Sequence, residues 1–109
     1  PEGRGRPVLA AVPRMVLGVL RITLILHGND SLKGKRQVLK AVKDRVRNRF
    51  NVSIAEVGHN DMLQRADIAV AAIGSDKTHV NSVMDNALNF IEAVAAADVA
   101  DHAIELLNL

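Results

Sequence analysis

The chain has 109 residues, 49% of them apolar but only two aromatic, and a net charge of +2. That length fits one domain with one modest core. The absence of cysteine excludes a disulfide framework, a thiolate metal site and a cysteine nucleophile. The small net charge hides a polarity, because residues 1–50 sum to +9 and residues 51–109 to −7. Such a chain can present a basic surface to a polyanion, or pair its two ends within one molecule or between copies.

Residues 1–14 read as a flexible N-terminal extension, with Met15 as a natural beginning, and residues 15–109 as one domain. The apolar stretch Val8–Val12 is interrupted by Pro13 and Arg14, so it makes a poor signal peptide. No segment reaches the roughly 20 apolar residues of a membrane-spanning helix. An intracellular, reducing compartment fits the lack of cysteine.

Val16–His27 is expected to form the first strand. Val16, Gly18, Leu20, Ile22, Leu24 and Leu26 make one apolar face, while Leu17, Val19, Arg21, Thr23, Ile25 and His27 make a mixed one. That contrast fits a central strand of a sheet covered on one side. Gly28-Asn29-Asp30 signals a turn, and Ser31 is a natural N-cap.

The helix that follows, SLKGKRQVLKAVKDRVRNRF from Ser31 to Phe50, carries eight Lys or Arg and one acid. Leu32, Leu39, Val42, Val46 and Phe50 recur at helical spacing, so one face packs and the outer face is basic. Gly34 in its first turns costs about 1 kcal/mol relative to Ala.

Val52–Gly58 reads as a second strand, joined through the polar residues His59–Gln64 to a third at Ala66–Gly74, as a hairpin. Ser75 is placed to cap a second helix, with Asp76 in its first turn. Val80, Val83, Met84, Ala87, Leu88, Ile91 and Val94 form the packing stripe of that helix, which runs to about Ala96. Asp98–Leu107 alternates weakly and is assigned as a fourth, edge strand, although its Ala and Glu also suit a helix. The order is that of the split βαβ arrangement: an α+β, ferredoxin-like βαββαβ sandwich. Its four-stranded antiparallel sheet carries two helices on one face, and right-handed crossovers put the first and third strands in the centre.

Three stretches carry a resemblance to a family: MVLGVLRITLIL at 15–26, SLKGKRQVLKAVKDRVRNRFNVSIAEVGHNDMLQRADIAVAAIG at 31–74, and HVNSVMDNALNFIE at 79–92. Together they resemble the YlxP-like bacterial proteins, a domain of unknown function. The resemblance implies a ferredoxin-like fold and a cytoplasmic bacterial protein. Members are often encoded near translation and transcription-elongation genes, which implies a role around RNA or the ribosome. It brings no established activity. Members usually carry an acid where this chain has Gly34, and often an aromatic where it has Leu63.

The basic helix is the main candidate interface. Lys33, Lys35, Arg36, Lys40, Lys43, Arg47 and Arg49 are expected to contact phosphate, with Arg21 and Arg65 as extras. The bland alternative is a solvated helix face that keeps the domain soluble. No expected strand holds an aromatic residue, so base stacking on the sheet is not expected, and backbone recognition of structured RNA or a ribosomal particle is. The competing expectation is a homodimeric interaction module without nucleic-acid binding.

Glu56, His59, Asp61, Gln64 and Arg65 form a polar cluster around the hairpin. Carboxylates and an imidazole at such spacing can share a proton, but the spacing matches no metal motif. The simpler account is a hairpin held by its own hydrogen bonds and a Glu56–Arg65 or Asp61–Arg65 pair. His27, His79 and His102 are scattered, and no phosphate-cradling glycine loop or nucleophile elbow is present. The sequence assigns no catalytic residue, metal or cofactor.

Overall fold

The computed structural model describes residues 14–59 and 61–109. The elements run β1 (Val16–Ile25), α1 (Leu32–Arg49), β2 (Ser53–Gly58), β3 (Arg65–Gly74), α2 (Lys77–Val94) and β4 (Asp98–Asn108). The strands form one sheet in the order β2-β3-β1-β4, with all neighbours antiparallel. This is the expected ferredoxin-like sandwich, with β1 and β3 central. The extension expected over residues 1–14 lies, except for Arg14, outside the described residues.

Strand periodicity fixes the core. Alternate β1 residues Val16, Leu20, Ile22 and Leu24 are buried, and opposite them lie Val70, Ile68 and Ala66 of β3. Both helices cover this face, contributing Leu39, Val42 and Val46 from α1 and Val80, Met84, Ala87, Leu88 and Ile91 from α2. Phe50 and Phe90 meet edge-to-face at 5.7 Å beside the two helices. Among the described residues no helix covers the other face of the sheet.

The helix starts follow side-chain chemistry. Ser31 Oγ accepts from the Gly34 amide at 3.0 Å and caps α1 as expected. At α2 the cap is Asp76 rather than Ser75. Asp76 holds the extended backbone of an N-cap and its Oδ1 accepts from the Thr78 amide at 3.2 Å. The second helix also stops at Val94, two residues short of the expected Ala96, where the Ala95 amide still bonds the Ile91 carbonyl.

β1 ends at Ile25, two residues before the expected His27. Gly28 turns the chain at φ +73°, the left-handed region glycine enters freely, and the Asn29 amide bonds back to the Leu26 carbonyl. Asp98–Asn108 is a strand, which resolves the helix alternative. It pairs with β1 from Ile25↔Asp98 to Val16↔Asn108, with a bulge that brings Leu24 opposite Val99.

The two sheet edges differ in charge. The β2 edge runs beside α1, whose Arg47 donates to the Ile54 carbonyl at 3.1 Å. The β4 edge carries Asp98, Asp101 and Glu105 and no Lys or Arg.

Candidate functional site

The cations of α1 divide by helical position. Lys33, Arg36, Lys40, Lys43 and Arg47 recur three and four residues apart, so they share one strip along the helix. The strip lies on the flank nearest β2, where Arg47 reaches Ile54. Lys33, Arg36, Lys40 and Arg47 are exposed and Lys43 is half-buried. Asp44 sits beside this strip. Its hydrogen bond from Lys40, at 2.5 Å, with the charges of Lys40, Arg47 and Lys43, holds its carboxyl below the usual range against an opposing desolvation. Arg49 lies on the opposite flank, its guanidinium 5.0 Å above the Phe90 ring.

Lys35 does not belong to this surface, contrary to expectation. Only 2% of it is exposed. Its ammonium donates to the carbonyls of His59 and Met62, both at 2.7 Å, and lies 3.0 Å from Glu56 Oε2. That third contact is an ion pair off the hydrogen-bond direction. A lysine satisfied this way pins the β2–β3 connection to α1. Arg21 and Arg65 also fall outside the basic strip, because both line the open face of the sheet, which the helices do not cover.

The expected polar cluster is split between the two sides of the sheet. Glu56 points to the helix layer and pairs with Lys35, so neither Glu56 nor Asp61 is the partner of Arg65. Asp61 and Gln64 are exposed in the connection. His59 and Arg65 meet on the open face around Asp67, a residue the sequence reading missed. Asp67 Oδ1 accepts from Thr23 Oγ1 at 2.8 Å and from the Arg65 guanidinium at 3.4 Å, and the His59 ring Nδ1 contacts Oδ2. Burial raises the Asp67 pKa, but the hydrogen bonds of Thr23, His59 and Arg65 and the Arg65 charge outweigh it and leave the carboxyl below the usual range.

The geometry of β2 produces this split. Glu56 pairs with Ile68, and after a register shift Gly58 pairs with Asp67. His59 then takes φ +56°, a left-handed conformation unusual for a side-chain-bearing residue. The connection is held by its carbonyls: those of His59 and Met62 by Lys35, that of Leu63 by Asn29 Nδ2 at 2.6 Å, and that of Gln64 by the Leu26 amide at 2.9 Å. Thr23 and Asp67 are direct cross-strand partners, so register alone brings them together.

Beyond this cluster the open face is largely apolar, with Glu105 opposite Val19 and Ser53 opposite Ala71 as its polar exceptions. Leu17, Val19, Ala69 and Ala71 are half-buried, Leu107 is exposed, and Ile73 is 65% exposed. His27 stands apart, its Nε2 2.7 Å from Asp98 Oδ2, and joins the end of β1 to the start of β4. Among the described residues no cluster of His, Cys, Asp or Glu could hold a metal ion, and no helix is long and apolar enough to cross a membrane.

Comparison with solved structures finds similar folds at low identity. A de novo designed protein, Foldit4, is 14% identical with a TM-score of 0.48, covering 87% of this chain and 96% of its own. A C-terminal segment of the alpha subunit of aIF2 from Pyrococcus abyssi is 16% identical with a TM-score of 0.45, covering 90% of this chain and 52% of its own. A dimeric ferredoxin-like protein of unknown function from Thermobifida fusca is 14% identical with a TM-score of 0.41, covering 85% and 92%. Among sequences, the uncharacterized protein YlxP of Bacillus subtilis (strain 168) is 37% identical over 78 residues, 72% of this chain and 85% of that protein. Residues 17–104 match the family described as protein of unknown function (DUF503), and with YlxP as a relative the chain belongs to that family.

Proposed function

We propose that the chain is a cytoplasmic protein that binds structured RNA or a ribosomal particle through phosphate contacts along α1. The observation that carries this reading is the strip Lys33, Arg36, Lys40, Lys43 and Arg47, which spans about 21 Å of helix. Lysine and arginine at such spacing displace counterions from a phosphate backbone, and binding then weakens steeply with salt. Neither phenylalanine lies in a strand, so the reading is limited to backbone and shape recognition. Filter binding of total RNA and of ribosomal particles at low salt tests it. Retention that falls with added salt supports the proposal, and no retention at low salt rejects it.

A second reading is a homodimer built on the open face. The row Leu17, Val19, Ala69, Ala71, Ile73 and Leu107 favours it, because an uncovered apolar sheet face gains by burial against a second copy. Light scattering of the chain and of Ile73→Lys decides. A dimer that the substitution splits supports this reading, and a monomer at high concentration removes it.

A further inference from the structure

The polar end of the open face encloses a groove of about 590 Å³. Arg21, Thr23, His59, Arg65, Asp67 and Asp101 line it. Three features set it apart from an ordinary solvated surface.

Arg65 Nε is buried and has no acceptor among the described residues. An orphaned buried donor costs about 1–3 kcal/mol, a cost that a ligand oxygen removes when the partly exposed guanidinium turns to present Nε to the groove. Each acid of the rim has a hydrogen-bond donor or a charged partner. Asp67 accepts from Thr23, His59 and Arg65, Asp101 Oδ1 accepts from the His102 amide at 2.9 Å, and Glu105 lies 3.6 Å from Arg21. Finally, the site is held in place before any ligand arrives. His59 sits at φ +56° in a connection whose carbonyls are bonded by Lys35, Asn29 and Leu26. Such left-handed residues persist where the surroundings over-determine them, and they cluster at functional sites.

We propose that this groove binds a small molecule through an oxyanion, a carboxylate or phosphate group that accepts from Arg65, with Arg21 as the second cation of the rim and His59 as a flanking hydrogen-bond group. Guanidinium groups suit both oxyanions, since their planar donors match carboxylate and phosphate geometry. The site is separate from the α1 strip, on the other face of the sheet, and does not depend on RNA binding.

Amide shifts of the labelled full chain, titrated with inorganic phosphate and separately with acetate, test the proposal. The expected result is a saturable change at Thr23, Gly58, His59 and Asp67. A response to phosphate alone identifies a phosphate ligand, to acetate alone a carboxylate, and to both a site for the bare oxyanion. Arg65→Gln is expected to weaken binding about tenfold, or ~1.4 kcal/mol, and Arg36→Gln on α1 to leave it unchanged. The proposal is overturned if neither probe shifts the groove amides saturably, if the shifts are confined to α1, or if Arg65→Gln binds as well as the unaltered chain. Should Arg65→Gln fail to fold, the location of the shifts in the unaltered chain and the response of Arg21→Gln give the answer.

Discussion

The Lys35 ammonium lies 3.0 Å from the Glu56 carboxylate, joining a helix to an edge strand inside the helix layer. Removing one partner of a buried pair leaves the other without compensation. Lys35→Ala also frees the carbonyls of His59 and Met62. We expect it to destabilise the fold by about 3 kcal/mol, read as a lower urea midpoint. Hydrogen exchange should rise first in residues 59–64. A neutral outcome would mean that the connection is held by Asn29 and Leu26 alone.

The α1 strip makes a quantitative prediction about RNA. With about five phosphate contacts, log K should fall with log salt at a slope near 4. Lys40→Glu with Lys43→Glu should reduce that slope by about 2 and weaken binding across sequences. Arg49→Ala should leave the slope unchanged, because its guanidinium sits over Phe90, but should cost about 1 kcal/mol of stability. Filter binding at several salt concentrations checks the first pair, and thermal melts the third variant.

Gly18 lies in β1 where a Cβ would stand 2.6 Å from Val80 Cγ1 and 3.0 Å from Met84 Cγ. Both neighbours are buried, so neither has room to withdraw. Gly18→Ala should destabilise the protein by about 1–3 kcal/mol through overpacking, despite the gain in strand propensity. Denaturant unfolding measures this directly.

Asp67 makes the stability dependent on acid. Its folded pKa is depressed below 3.8, the ordinary value, so its contribution is fully present above pH 3.8 and is lost as pH falls through the folded value. Within that window the unfolded chain binds more protons, and stability rises with pH. Asp67→Asn should therefore flatten the acid limb of a plot of urea midpoint against pH, leaving the slope of the same sign that Asp44 contributes.

The fold was legible because the patterns are local. The alternation of Val16 to Leu26 and the stripe Leu39, Val42 and Val46 each report one buried face. Lys35 was misread because its type argued for solvent. Its position argued otherwise, falling four residues before Leu39 and seven before Val42, on the packing stripe. The Asp67 site was hidden for another reason. Thr23 and Asp67 are 44 residues apart, and only the β1–β3 register brings them together. Alternation puts Thr23 and Asp67 each on the outward parity of its strand, so aligning the two strands was the signal available. The bulge after Glu56 had no signature in composition or spacing.

The opposite charge of the two sheet edges limits how copies of this chain could associate. Lining β4 against β4 of a second copy would bring Asp98, Asp101 and Glu105 of each into one acidic seam. The favourable union sets the β4 edge of one molecule beside the lysines and arginines flanking β2 of the next. Such a head-to-tail contact leaves a free end of each sign and does not close on two molecules. Edge contact would therefore favour rings or open chains, dissolved by salt, while a closed pair can use the uncovered face.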